Sequence, residues 1–230
     1  LERREQYPGI EVVETWKRQY PYAPLASHVV GYMGSIPADN KATKKVNETD
    51  VFKQKGYLLS ERVGVAGVER TYEDVLHGTP GKRVYEVDSN GRVLRVVEEV
   101  PPVNGQDIQL SIDLTVQQYV EQTLETELRY RRTVNAVQSK TELDQYGRKK
   151  YPATAGSMIV QNYQTGAVVA MASYPTYDPS MWLDGVSDAE YKSLTSKSSN
   201  QPLVFRAVQG QYVPASTFKA ITTLAAAKVG

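Results

Sequence analysis

Cysteine is absent from the 230 residues, and histidine occurs only at His28 and His77. The first absence excludes disulfides, thiolate-ligated zinc and thiol catalysis. The second leaves too little imidazole for a histidine-rich metal site. A Ser-His-Asp relay would have to draw on His28 or His77, and both sit in helix-like apolar patterns. Net charge is nearly missing as well, since 27 Lys and Arg against 26 Asp and Glu leave only +1. Such a balance supplies no basic face of the kind nucleic acid requires, so no nucleic-acid partner is expected. The densest basic stretches, Arg129-Tyr130-Arg131-Arg132 and Arg148-Lys149-Lys150, flank polar sequence and read as solvated surface. Long apolar runs are lacking too. Nothing approaches the ~20 consecutive apolar residues of a membrane span. No charged-then-apolar leader opens the chain, which begins LERREQ without Met. It reads as a piece of a longer protein, cut at both ends.

What is present is ordinary globular material, 40% apolar, enough for one large domain or two modest ones. Turn signals punctuate its first hundred residues. Ile10 to Trp16 is β-branched and reads as extended; Pro21 and Pro24 precede a short apolar helix over Leu25 to Met33. Residues 37–56 are polar and Lys-rich, an exposed loop or lid. Apolar residues at helical spacing (Val65, Val68, Tyr72, Val75, Leu76) predict a helix ending at Gly78-Thr79-Pro80-Gly81. A hairpin follows, Arg83 to Val87 and Arg92 to Val97, around Asp88-Ser89-Asn90-Gly91, because Asn-Gly tolerates the positive φ of a tight turn. Pro101-Pro102-Val103-Asn104-Gly105 reads as a linker, which divides the chain into 1–105 and 106–230.

The second part opens with a short strand over Asp107 to Ile112 and an amphipathic helix over Leu114 to Leu128. A polar excursion spans 133–154. The strands Ser157 to Val160 and Ala167 to Ala172 follow, then a proline-stiffened loop from Tyr174 to Pro179 and a short helix over Asp188 to Leu194. The last element is an apolar helix over Ser216 to Lys228, which reads as buried on most sides.

The chemistry is concentrated in Val213-Pro214-Ala215-Ser216-Thr217-Phe218-Lys219. Pro before a helix start is favourable, and a hydroxyl there lies near unpaired backbone N–H groups. Ser216 and Lys219 are separated by one helical turn and emerge on one face. A serine hydroxyl needs a base to become a useful nucleophile, and a desolvated, neutral lysine can be that base. A helix N-terminus favours the negative charge that builds when the serine attacks a carbonyl. About one S-x-x-K arises by chance in a chain of this length, so the tetrapeptide by itself leaves a second reading open: Ser216 an N-cap, Lys219 a solvated first-turn residue. Two details favour the catalytic reading. A first-turn Lys opposes the helix dipole, and the apolar flanks put Lys219 beside buried surface.

Ordered segments along the chain carry a resemblance. Gln201-Pro202-Leu203-Val204-Phe205-Arg206-Ala207-Val208-Gln209-Gly210, followed by Tyr212 to Lys219, is similar to the nucleophile-bearing segment of penicillin-binding proteins, usually N-R-A-x-x-G-x-Y-x-P-G-S-T-F-K. Ser157 to Val160, Thr165 to Met171, Ser173-Tyr174-Pro175 and Asp178-Pro179 resemble the first strands and following loop of the same catalytic domain. Gly64 to Tyr72, Leu76 to Gly81 and Val87 to Arg92 resemble the non-catalytic pedestal of class B members, with the elongation-type penicillin-binding protein 2 group the nearest in kind. Ala215 departs from the usual Gly, and Gln161-Asn162 from an Asp-Pro-like pair. The family's second and third site motifs, S-x-N and K-T-G, lie further along than the S-x-x-K helix, and this chain stops eleven residues after Lys219.

The resemblance implies an α+β chain: a mixed-strand pedestal over 1–105, then the first part of a serine β-lactamase-like α/β-sandwich transpeptidase domain over 106–230. It implies D,D-transpeptidation of peptidoglycan stem peptides ending in D-Ala-D-Ala, with Ser216 as nucleophile, Lys219 as base and the Ser216 N–H as half of an oxyanion hole. β-Lactams would acylate Ser216. No metal or organic cofactor is needed. It also implies a single-pass membrane anchor outside this stretch, a body on the extracytoplasmic side, and membrane proteins of the elongation complex docking on the pedestal. The stretch by itself is expected to be inactive, because two of three site motifs are missing. Two rival readings stand beside this one. A penicillin-sensing receptor or β-lactamase shares S-x-x-K, but the pedestal-like first hundred residues argue against both. The other is a non-catalytic pedestal interaction module.

Overall fold

Short apolar clusters separated by glycine and proline give short elements. The computed structural model contains such elements over the residues it describes, 17–36, 48–138 and 153–229. The chain forms two compact units. The first comprises Leu1–Gln109 together with Asp178–Ser187; the second comprises Leu110–Tyr177 and Asp188–Gly230. Helix and strand are mixed in both, as an α+β chain requires, and the strands described pair two by two in antiparallel fashion. The segment Ile10 to Trp16, residues 37–47 of the Lys-rich stretch and residues 139–152 of the excursion lie outside the described residues.

In the first unit, helix α1 (Ser27–Val30) is shorter than the pattern to Met33 predicts. It stops at Gly31, φ 84°, where a Cβ would lie 1.8 Å from the Ala66 carbonyl oxygen. Residues beyond Gly31 extend into β1 (Met33–Ser35), which pairs with β2 (Arg62–Gly64). Part of the expected loop is helical, α2 (Glu48–Gln54), because Phe52 packs edge-on against Tyr57 with ring centroids 5.0 Å apart. The single helix expected over Val65 to Leu76 is two, α3 (Gly67–Thr71) and α4 (Glu73–Leu76). The break at Tyr72 turns Glu73 inward. Its carboxylate accepts from the Gly64 N–H at 2.7 Å and the Tyr57 hydroxyl at 3.2 Å. Burial, then the Glu73 charge, push the Tyr57 hydroxyl far above its ordinary range.

Glu69 is buried and paired to Arg18. Burial raises its carboxyl above the ordinary glutamate value while the guanidinium pulls it down. Both histidines have structural surroundings. His28 is buried in α1; His77 meets Glu61 at 2.8 Å and stacks on Tyr57 at 3.9 Å.

The hairpin is β3 (Lys82–Val87) with β4 (Val93–Val100). Of the Asn90-Gly91 pair only Gly91 takes positive φ, 78°. The turn is closed by the Asp88 carboxylate, which accepts from the Asn90 and Arg92 N–H groups at 2.8 and 2.9 Å. Residues 101–105 are not a free linker. Thr79 and Val103 exchange both backbone hydrogen bonds, at 2.8 and 2.9 Å, and the Gln106 N–H reaches the Val75 carbonyl. Prolines leave few donors here, and the first that remains, the Val103 N–H, is satisfied by Thr79.

In the second unit, α5 (Leu114–Gln138) starts at Asp113, whose carboxylate accepts from the Thr115 and Val116 N–H groups at 2.8 and 3.0 Å. The strand expected over 107–112 does not form. The chain only touches its neighbour there, Asp113 N–H to the Val169 carbonyl at 2.9 Å, before turning into the cap. Helix α5 runs well past the expected end at Leu128. Arg132 is one reason. Far from being plain solvated surface, it lies 5.8 Å from the Tyr174 ring centroid and donates to the Ala153 carbonyl at 2.8 Å. Strands β5 (Gly156–Gln161) and β6 (Val168–Tyr174) pair with Met158 opposite Ala172. Val120 and Leu124 of α5 pack on Ala170 and Ala172 to make the core, with Val116, Leu128 and Met158 around it. Gln117, fully buried, joins helix to sheet: its amide donates to the Met171 carbonyl at 3.0 Å and accepts from the Met171 N–H at 2.7 Å.

Candidate active site

The strand pair leads to the candidate nucleophile through a series of short elements. After β6 come a 3-10 turn at Pro179–Trp182, α6 (Asp188–Thr195), a second 3-10 turn at Lys197–Ser199 and α7 (Arg206–Gln209). Helix α7 is fastened twice. The Ala207 N–H donates to Ser173 Oγ on β6 at 3.1 Å. The Arg206 guanidinium is buried and donates to the carbonyls of Gln201 at 3.1 Å, Val204 at 3.3 Å and Asn200. Arg206 and Ser173 appear in the motif strings of the sequence, but no role for either follows from them there. The signal is an arginine inside the apolar run Leu203-Val204-Phe205-Arg206-Ala207-Val208, which a surface residue would not need.

Residues 211–214 then lead into a third 3-10 turn, Ala215–Phe218, which carries Ser216, and Lys219 opens α8 (Lys219–Val229). In a 3-10 turn residues three apart eclipse. The Lys219 N–H donates to the Ser216 carbonyl, so the two candidate residues stand at either end of one tight turn. No hydrogen bond joins the Ser216 hydroxyl to the Lys219 ammonium among those the described residues make. Ala215 takes φ 47° in the left-handed region. This is the position where the sequence departs from glycine, and an alanine there costs about 1–2 kcal/mol.

One expectation is overturned. Helix α8 and the turn before it are exposed: Phe218 is 52%, Ile221 57% and Leu224 73% accessible. No layer of the second unit covers its apolar side among the described residues, and Lys219 is also exposed. The turn therefore supplies adjacency without shelter. A cavity of about 250 Å³ lies elsewhere, in the first unit, lined by Val51, Phe52, Lys55, Val63, Glu73 and Asp74 among others. No group of acidic or histidine side chains suited to a metal ion occurs among the described residues.

Comparison with known proteins adds to this geometry. Residues 1–110 match the family model of the penicillin-binding protein dimerisation domain, and residues 156–230 match that of the penicillin-binding protein transpeptidase domain. The chain is 36% identical over 225 residues to the peptidoglycan D,D-transpeptidase MrdA of Escherichia coli K12, covering 98% of this chain and 30% of that one. Among solved structures, the complex of penicillin-binding protein PBP2 with MreC from Helicobacter pylori aligns with a TM-score of 0.67 at 25% identity, over 97% of this chain and 35% of that one. A structure from work on polymerization and crosslinking by a peptidoglycan synthase complex gives a TM-score of 0.68 at 33% identity, over 93% of this chain and 33% of that one. The chain thus spans about a third of the length of these relatives.

Proposed function

Because the chain belongs to the penicillin-binding proteins, matching the dimerisation domain and then the transpeptidase domain, we propose that the protein it forms part of is a peptidoglycan D,D-transpeptidase. The observation that carries the reading is the 3-10 turn that sets Ser216 and Lys219 one turn apart. In the proposed reaction Ser216 Oγ attacks the carbonyl between the two terminal D-alanines of a stem peptide, and Lys219 Nζ takes the hydroxyl proton. The C–N bond breaks, the proton passes to the leaving amine, and D-alanine departs. An amine of a second stem then attacks the ester, forming the cross-link and releasing Ser216. A β-lactam acylates the same oxygen by opening its ring amide.

The residue division we propose is a pedestal over 1–105 and the opening part of the transpeptidase domain over 106–230. No helix among the described residues is long and apolar enough to cross a membrane; we assign the anchor to a segment outside this chain, with the body on the extracytoplasmic side. We propose a second role for the first unit, as a surface on which membrane proteins of the elongation complex dock; that the similar PBP2 forms a complex with MreC is in keeping with a protein partner. A binding measurement between the first unit and such a partner tests that role.

Mass spectrometry tests the catalytic reading. The full-length protein incubated with benzylpenicillin gains one penicilloyl mass, which maps to the peptide holding Ser216, and Ser216→Ala abolishes it. Label on another serine ends the assignment. The 230-residue chain, with Lys219 exposed, is expected to stay unlabelled under the same conditions. A persistent adduct excludes β-lactamase turnover.

A further inference from the structure

The segment Asp178–Ser187 follows β6 in sequence yet belongs to the first unit. Arg62 of β2 holds it there. The guanidinium donates to the carbonyls of Leu183 at 3.4 Å and Trp182, which end the 3-10 turn Pro179–Trp182, and to the Met33 carbonyl of β1 at 3.0 Å. Carbonyls at the end of a helical turn have no partner within the turn, and a planar cation with several donors can satisfy more than one of them. Its Nε is buried without an acceptor among the described residues. A side chain free to choose its rotamer would avoid that cost, so the position is dictated by the carbonyls at its tip. Tyr32 stacks on Trp182 with ring centroids 3.8 Å apart and an interplanar angle of 22°, and Lys17 pairs with Asp184 at 2.8 Å. The Lys17 contact is exposed and contributes little. Arg62 and Trp182 carry the attachment.

The excursion leaves the second unit at Tyr177 and re-enters it at Asp188, on the stretch of chain that continues through α6 and α7 to Ser216. We infer that Arg62 is a positioning residue. By pinning Asp178–Ser187 to the first unit, it removes slack from the chain that delivers the nucleophile, and so makes acylation of Ser216 depend on the state of the first unit. The inference rests on the reading of Ser216 as nucleophile, but the pin itself does not.

The test uses the full-length protein and Arg62→Met, which keeps the apolar stem and removes every donor. Hydrogen exchange reads the pin directly, because the Leu183 and Gly185 amides are bonded within the excursion, to the Ser180 and Trp182 carbonyls at 3.0 and 3.3 Å. Loss of charge-assisted hydrogen bonds is expected to speed exchange in 178–187 by ~10- to 100-fold, with α3 unchanged. Acylation by fluorescent penicillin is expected to slow by at least ~10-fold at a temperature where circular dichroism shows the variant fully folded. Arg62→Lys, with one compact head in place of a fork, falls between. Unchanged exchange in 178–187 overturns the pin. Faster exchange with unaltered acylation overturns the positioning role. A wild-type protein that is never acylated ends the nucleophile reading, while the exchange result still judges the pin. Should Arg62→Met not fold, Arg62→Lys and Tyr32→Leu, which loosens Trp182 from its other side, are judged by the same two readouts.

Discussion

Ala215 and Ser216 show what one backbone angle contributes. The left-handed conformation at Ala215 aims the chain into the tight turn that joins Ser216 to Lys219, and a methyl group in that region crowds the carbonyl. Ala215→Gly removes the crowding, offset in part by the larger freedom glycine has when unfolded. Because the turn is exposed, the gain is local. Exchange of the Lys219 amide, bonded to the Ser216 carbonyl, is expected to slow by about 3- to 5-fold, while the melting temperature hardly moves. Faster exchange would mean that the turn needs the alanine. Ser216 and Lys219 were legible as a pair because spacing and residue type are properties of the string itself. The exposure of Lys219 was not, since an apolar flank reports what a helix would bury and says nothing about whether a covering layer is at hand.

At the level of elements, periodicity found both strands β5 and β6 and α6 with ends displaced by one or two residues, and α5 from its first residue but ten residues short of its end. It found the hairpin for a partly different reason, as the Asp88 carboxylate closes the turn that Asn90-Gly91 announces. It missed α2, and it merged α3 with α4, because an inward Glu73 breaks the helix through contacts with Gly64 and Tyr57 that lie far away in sequence. Gln117 was invisible for the same reason. A glutamine on a helix ordinarily faces solvent, yet this one is fully buried and satisfies both backbone groups of Met171. Gln117→Leu fills a similar volume but strands those groups, at a cost of about 2–4 kcal/mol. Urea denaturation measures it, and a loss below half a kilocalorie would show that water replaces the amide.

For the whole molecule, sequence order and spatial order disagree. The unit that begins the chain contains a ten-residue piece, Asp178–Ser187, from far downstream. Residues 1–109 expressed alone are therefore expected to unfold at a lower denaturant concentration than the same residues joined by a flexible linker to 178–187. Trp182 fluorescence in the joined protein should be quenched by the stacked Tyr32 and released on unfolding. Equal midpoints for the two proteins would mean that the downstream piece contributes nothing.

The same arrangement sets a clock on biosynthesis. At about 5–20 residues per second, a ribosome delivers Ser187 roughly 4–16 s after Gln109. Until then the nascent first unit waits with the Arg62 guanidinium bonded to the Met33 carbonyl but lacking those of Trp182 and Leu183, so the part translated first is completed only once much of its successor has been made.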